Sequence, residues 1–179
     1  VVYHKTDRGE LVNNLVFMNG AFPGQSNYTG MTVNTADDLL IANNIIWARD
    51  GNDFALKNNG NAQNVVTTHN YVVGRSQFGN AADNVFVDFA DAPALAAVFS
   101  NVVSIAQNTP DPHAVDGPRS AAEIDQVIRQ LALDFMPVDT ADMLIDQGRA
   151  EGAPPGDIDG QRRPVGAQVD LGPFELRAP

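Results

Sequence analysis

Cysteine is absent from this 179-residue chain, which removes disulfide frameworks, zinc ribbons and thiol catalysis together. Lysine is nearly absent: Lys5 and Lys57 are the only two, and 11 bases stand against 22 acids for a formal net charge of −11. A nucleic-acid backbone is a poor partner for such a surface, and none is expected. Aromatics reach only 7% while apolar residues make up 44%, so the core must be assembled from Val, Ile, Leu and Ala. Small, β-branched cores suit sheets and solenoids. No apolar run approaches the roughly 18 residues a membrane span requires, so no span is expected. The chain opens at Val1 without a charged-then-apolar leader, and the expectation is a processed, trimmed or partial product.

What is present divides near residue 108. All 17 asparagines lie between Asn13 and Asn108, whereas nine of the 11 prolines lie from Pro110 onward. Within the Asn-rich segment four stretches align: Asn13-Asn14-Leu15-Val16-Phe17, Asn43-Asn44-Ile45-Ile46-Trp47, His69-Asn70-Tyr71-Val72-Val73 and Ser100-Asn101-Val102-Val103-Ser104. Their shared Asn recurs at offsets of 30, 26 and 31, an interval that signals a solenoid or array. Apolar runs precede it, Leu39-Leu40-Ile41, Val65-Val66-Thr67 and Ala96-Ala97-Val98, with a poorer Glu10-Leu11 in the first unit. More distant runs are Met31-Thr32-Val33, Phe54-Ala55-Leu56 and Val85-Phe86-Val87.

Each unit reads as strand, Asn turn, strand, variable loop, strand, with three to five residues per run. Asparagine suits the turn because it tolerates the left-handed backbone of a sharp corner and bonds locally through its amide. Stacked at about 4.8 Å, successive amides can also bond one another. The pattern predicts an all-β right-handed parallel β-helix of about four coils over 1–108, with Asn14, Asn44, Asn70 and Asn101 in a ladder. A β-sandwich is the competing fold, but it has no reason to repeat at this interval.

In the segment 109–179, Ser120-Ala121-Ala122-Glu123 forms a capping box ahead of Ile124, Val127, Ile128 and Leu131 at helical spacing. One amphipathic helix is expected over 120–132, its stripe covering the flank or open end of the last coil. An irregular Pro-rich tail follows and is expected to cap the same solenoid.

That tail carries Asp146-Gln147-Gly148, then Asp157-Ile158-Asp159-Gly160-Gln161-Arg162-Arg163-Pro164, then Val169-Asp170-Leu171-Gly172-Pro173-Phe174-Glu175. Together with the coils, this ending resembles the closing part of bacterial secreted right-handed parallel β-helix proteins of the pectate-lyase-like superfamily. The resemblance implies a secreted or cell-surface protein, with the periplasm as another compartment. It does not imply one chemistry, because members include polysaccharide lyases, epimerases, hydrolases and proteins of no known activity. The family's enzymes have more coils than the four visible here. An open first coil would present unpaired strand edges, so an upstream segment, a cap or a partner chain is expected there.

Arg49 and Arg75 each lie five residues beyond a ladder Asn and are expected to stack in adjacent coils. Guanidiniums about 5 Å apart repel unless an anion lies between them. That anion is either a carboxylated sugar, making the pair a ligand-binding face for acidic polysaccharide, or a network with Asp50, Asp53 or Asp88. Lys57 and His69 are further bases on the coils and the weak candidates for catalysis. A β-elimination enzyme needs such a base beside a carboxylate-neutralising group or Ca2+. His69 also stands at the corner position of Asn13 and Asn43, which reads as a satisfied corner residue.

Asp157, Asp159 and Gly160 resemble the start of a calcium loop, but Arg163 and Val165 occupy later ligand positions, and a turn with an Asp–Arg bond is expected instead. No metal or other cofactor is expected. Asp134, Asp139, Asp142 and Asp146 are too scattered for a paired-carboxylate site. The leading expectation is an extracellular β-helix with a structural or glycan-binding role. The rival is a polysaccharide lyase or epimerase acting on acidic polysaccharide.

Overall fold

The structure is a computed structural model that describes residues 2–6, 8–18, 29–60, 62–79, 83–100 and 120–176. By internal packing the chain forms two compact units, 1–92 with 142–179, and 93–141. The composition break at 108 falls outside the described residues, and so does Asn101.

The larger unit is made of short parallel strands. They are β1 (Val2–Thr6), β2 (Gly9–Val12), β3 (Leu15–Phe17), β4 (Thr29–Ala36), β5 (Leu39–Ala42), β6 (Ile45–Trp47), β7 (Phe54–Asn58), β8 (Val66–Thr68), β9 (Tyr71–Val73), β10 (Arg75–Ser76) and β11 (Val85–Val87). Three sheets collect them in the orders β1-β4-β7-β10, β2-β5-β8 and β11-β9-β6-β3, and every pairing is parallel. Consecutive strands therefore visit the first, second and third sheets in one repeating order, three strands to a rung, until, among the described strands, β10 is followed by β11.

Strand length and composition explain the arrangement. Runs such as Leu39–Ala42 and Ile45–Trp47 are short, apolar and flanked by turn residues, so each strand can hide its inward side chains only against its own and neighbouring rungs. Met31, Val33, Leu39, Ile41, Ile46, Ala55, Leu56 and Val72 meet in one buried cluster. On the third sheet Phe17, Trp47 and Tyr71 follow one another at centroid separations of 6.5 and 6.3 Å.

Asparagines turn the corner between the second and third sheets. Asn13, Asn43 and His69 take the left-handed backbone conformation, with φ of 56°, 57° and 52°. The next residue in each case is a ladder Asn. Asn14 N and Nδ2 donate to Asn44 Oδ1 at 2.9 and 3.0 Å, and Asn44 N and Nδ2 donate to Asn70 Oδ1 at 3.0 and 2.8 Å. Asn70 then donates in the same way to Asn84 Oδ1. The fourth described rung thus belongs to Asn84, only 14 residues on. Val85-Phe86-Val87 accordingly pairs with β9 as a strand following the corner, not as the distant run its composition suggested.

A second corner, between the first and second sheets, uses Asp38 and Asn64 at φ of 56° and 53°. Asn64 Nδ2 donates to Asp38 Oδ1 across adjacent rungs at 3.0 Å.

In the smaller unit, α1 (Ala121–Asp134) begins with the expected capping box: Ser120 Oγ accepts from Glu123 N, and Glu123 Oε2 accepts from Ser120 N at 2.7 Å. The side chains of the stripe residues Ile124, Val127, Ile128 and Leu131 lie outside those described. Phe99 packs edge-on against Phe135 at 5.9 Å, and Val98 and Ser100 exchange backbone bonds with Val138 and Met136.

Because Asn44 is fully buried with both amide ends bonded, Asn44→Leu should cost about 2–4 kcal/mol in a denaturant titration. Exposed Asn59 bonds only through its backbone, and Asn59→Leu should stay within about 0.5 kcal/mol of the parent. Equal losses would contradict the ladder.

Candidate functional site

Two regions draw together the residues that the sequence singles out: the buried closing segment and a groove on the fourth rung.

The closing segment docks on the outer Asn file. Asn13 Nδ2 donates to the carbonyls of Asp170 and Gly172, and Asn43 Nδ2 donates to Asn13 Oδ1 and to the Arg149 carbonyl. Arg149 N in turn donates to Asn43 Oδ1 at 2.9 Å. Gly172, at φ of 83°, lies so close that a Cβ would come within 2.6 Å of Ile45 Cδ1.

The three motifs of this segment converge on one another through backbone bonds to carboxylates. Asp170 accepts from Asp146 N and Leu176 N at 2.7 and 2.6 Å. Glu175 accepts from Val165 N and Asp170 N, and Asp157 accepts from Asp159 N, Gln161 N and Glu175 N. Arg163 is buried among them, its Nη2 donating to the Gly172 carbonyl and its Nε 3.7 Å from Glu175 Oε2. Burial pushes the Asp170 and Glu175 carboxyls above their ordinary values. It also lowers the Arg163 guanidinium against the opposing pull of Glu175, Asp157 and Asp170. The motif residues act as structural ties. Among the described residues no cluster of three or more His, Asp or Glu side chains is arranged to hold a metal ion.

The groove arises from a short connection. Six residues separate β6 from β7, but Gly74 alone separates β9 from β10. Gly74 has φ of 114°, and a Cβ there would stand 2.5 Å from Ala48 Cβ. This turn sends Arg75 straight to the first sheet, where its register partner is Phe54. The expected stacking of Arg49 on Arg75 is therefore replaced by separate engagements. Arg49 binds Asp50 at 2.8 Å and the buried Asp53 at 3.1 Å. The Asn52 N–H, with Arg49 behind it, holds the Asp50 carboxyl below its ordinary value.

Arg75 is exposed, with its guanidinium 4.0 Å over the Phe54 ring and Nη1 donating to the Asn52 carbonyl. It lines a groove of about 750 Å³ with Phe54, Phe78, Phe86, Asp88 and Asp91. Asp88 opens the 3-10 turn Phe89–Asp91 without a side-chain cap bond, so its carboxylate is not spent on the backbone. Ser76 Oγ and the Phe78 backbone bond each other and fix the groove's rim.

Lys57 stands near this groove, its Nζ 5.5 Å from the Phe54 ring. His69 does not: its Nδ1 is 2.7 Å from Thr68 Oγ1, and it lines a separate cavity of about 280 Å³ with Asp83, Asn84, Asp146, Gln147 and Gln168. Sequence reasoning missed Asn84 and Asp91, and it named Asp88 only as an ion-pair partner for the arginines. The signal for the first was Asp83-Asn84-Val85-Phe86-Val87, which matches Asn13-Asn14-Leu15-Val16-Phe17.

No family model, curated protein or solved structure matches this chain.

Gly74→Ala should destabilise by about 2 kcal/mol or more in denaturant, since it combines a left-handed backbone with a steric clash. A neutral result would mean that the turn is not under this constraint.

The buried acids give a pH prediction. A carboxyl raised by burial keeps its proton in the folded state where the unfolded chain has lost its own. Its stabilising contribution is present below the ordinary carboxylate range and lost as pH rises through the raised value. Glu175→Gln removes that contribution, so unfolding free energy should fall less steeply than in the parent as pH rises above the ordinary carboxylate range. A uniform offset with an unchanged slope would contradict the assignment.

Proposed function

We propose that this chain is a stretch of right-handed parallel β-helix from a secreted or surface-exposed bacterial protein, and that it binds glycan in the groove beside Arg75. The repeating order of three parallel sheets and the Asn ladder support the β-helix. Resemblance of the closing motifs to secreted β-helix proteins supports the extracellular placement. The observation that carries the binding role is the groove itself. It joins one exposed cation, aromatic rings and two exposed carboxylates within the size range of about 300–1,000 Å³ usual for ligand sites.

A second reading, a polysaccharide lyase or epimerase, is favoured by one arrangement: Lys57 and Arg75 both approach the Phe54 ring, a base beside a carboxylate-neutralising group. His69, lining its own cavity, gives no help to that chemistry.

Incubation with pectate, alginate and glycosaminoglycans, followed by absorbance of unsaturated uronides, is expected to show no turnover. Titration with a glycan panel is expected to show binding that weakens about tenfold in Arg75→Ala, with the circular dichroism spectrum unchanged. Uronide product that disappears in Arg75→Ala would replace the binding role with the enzymatic one. Silence in both assays would overturn both.

A further inference from the structure

The charge around the groove selects among glycans. Among the described residues Arg75 is the one cation lining it, against Asp88 and Asp91. Counting Lys57 at the Phe54 ring brings the balance to two against two. Arg49 adds nothing, because Asp50 and Asp53 already occupy it. The chain as a whole carries −11.

An acidic polysaccharide entering this groove would place its carboxylates beside Asp88 and Asp91 with no surplus of positive charge to offset them. A neutral sugar meets no such cost. Its hydroxyls donate to carboxylates, which only accept, and accept from the Arg75 fork, which only donates. Among the described residues no hydrogen bond or ion pair occupies the carboxylates of Asp88 and Asp91, so both retain their acceptor capacity. Phe78 and Phe86 are half-buried against the core and line the groove, which supplies apolar surface for the C–H side of a pyranose.

We infer that the groove takes a neutral oligosaccharide, held by hydroxyl bonds to Asp88, Asp91 and Arg75 against Phe78 and Phe86. This rests on the glycan-binding reading and narrows it.

The test is calorimetric titration of the full chain with neutral oligosaccharides (β-glucan, xylan and mannan fragments) and with acidic ones (oligogalacturonate and alginate fragments). The neutral class should bind more tightly, with affinity unchanged between about 50 and 500 mM salt. The double variant Asp88→Asn with Asp91→Asn should weaken neutral binding about tenfold or more, while Asp125→Asn, on α1, should leave it unchanged. Both groove substitutions are exposed and conservative in shape, and thermal unfolding checks that the fold is kept. Tighter binding of the acidic class, falling with salt and improved by the double variant, would overturn this inference while leaving the glycan-binding reading standing. No binding of either class would overturn both.

Discussion

The larger unit depends on a buried amide that no single rung can satisfy. Asn44 reaches backward through Nδ2 to the Leu11 carbonyl and forward through N and Nδ2 to Asn70 Oδ1, while its own Oδ1 takes both donors of Asn14. Asn70 repeats the pattern, with the Ile41 carbonyl behind and Asn84 ahead. An unsatisfied buried polar group costs on the order of 1–3 kcal/mol, so each Asn holds three rungs in one register. Apolar burial alone would permit sliding along such uniform Val- and Ile-rich strands. The amides remove that freedom, because a slip of one residue would strand a donor and an acceptor at every corner.

The same corners provide the attachment for the closing segment. Residues in the left-handed conformation direct Asn13 and Asn43 to the segment's backbone, and their amides supply donors and acceptors to Asp170, Gly172 and Arg149. The file changes character at His69, whose ring bonds Thr68 instead and lines a cavity with Asp146 and Gln168. Behind the docked backbone, Arg163, Asp170 and Glu175 are buried at an electrostatic cost, evident in the displaced pKa values of all three. Carboxylates accepting several backbone N–H groups can tie an irregular Pro-rich segment that has no strand or helix among its described residues. In this segment the acids do the work that ladder hydrogen bonds do elsewhere.

How much of this could be read in advance depends on whether a feature repeats. Asn14, Asn44 and Asn70 were legible because a corner amide leaves the same Asn ahead of an apolar run at each of these rungs, and the capping box of α1 was legible because its two partners are three residues apart. Asn84 was not, since its rung is half as long as its neighbours and breaks the interval on which the alignment relied. The parallel sheets follow from the short apolar runs. The destination of Val85–Val87 did not, because composition alone cannot tell a strand that precedes a corner from one that follows it. The closing motifs were visible as letters, but their mutual bonds join residues up to 24 apart through backbone groups, which leave no trace in side-chain identity.

Counting positions from the ladder Asn placed Arg49 and Arg75 at equivalent places, and this equivalence fails for a local reason. Ala48 and Gly74 continue the register of Trp47 and Val73. Beyond them the two rungs part: Ala48 leads into the turn that seats Arg49 on Asp50 and Asp53, whereas Gly74 bends at once toward β7. A side chain at position 74 would strike Ala48, so the abrupt bend requires glycine. Among the described residues, the resulting rung places two in the first sheet and none in the second, and Phe54, Phe78 and Phe86 stay half-buried and line the groove. The groove thus follows from the bend at Gly74, which sets Arg75 over Phe54, while the Asn70–Asn84 bonds hold the adjoining rung in register.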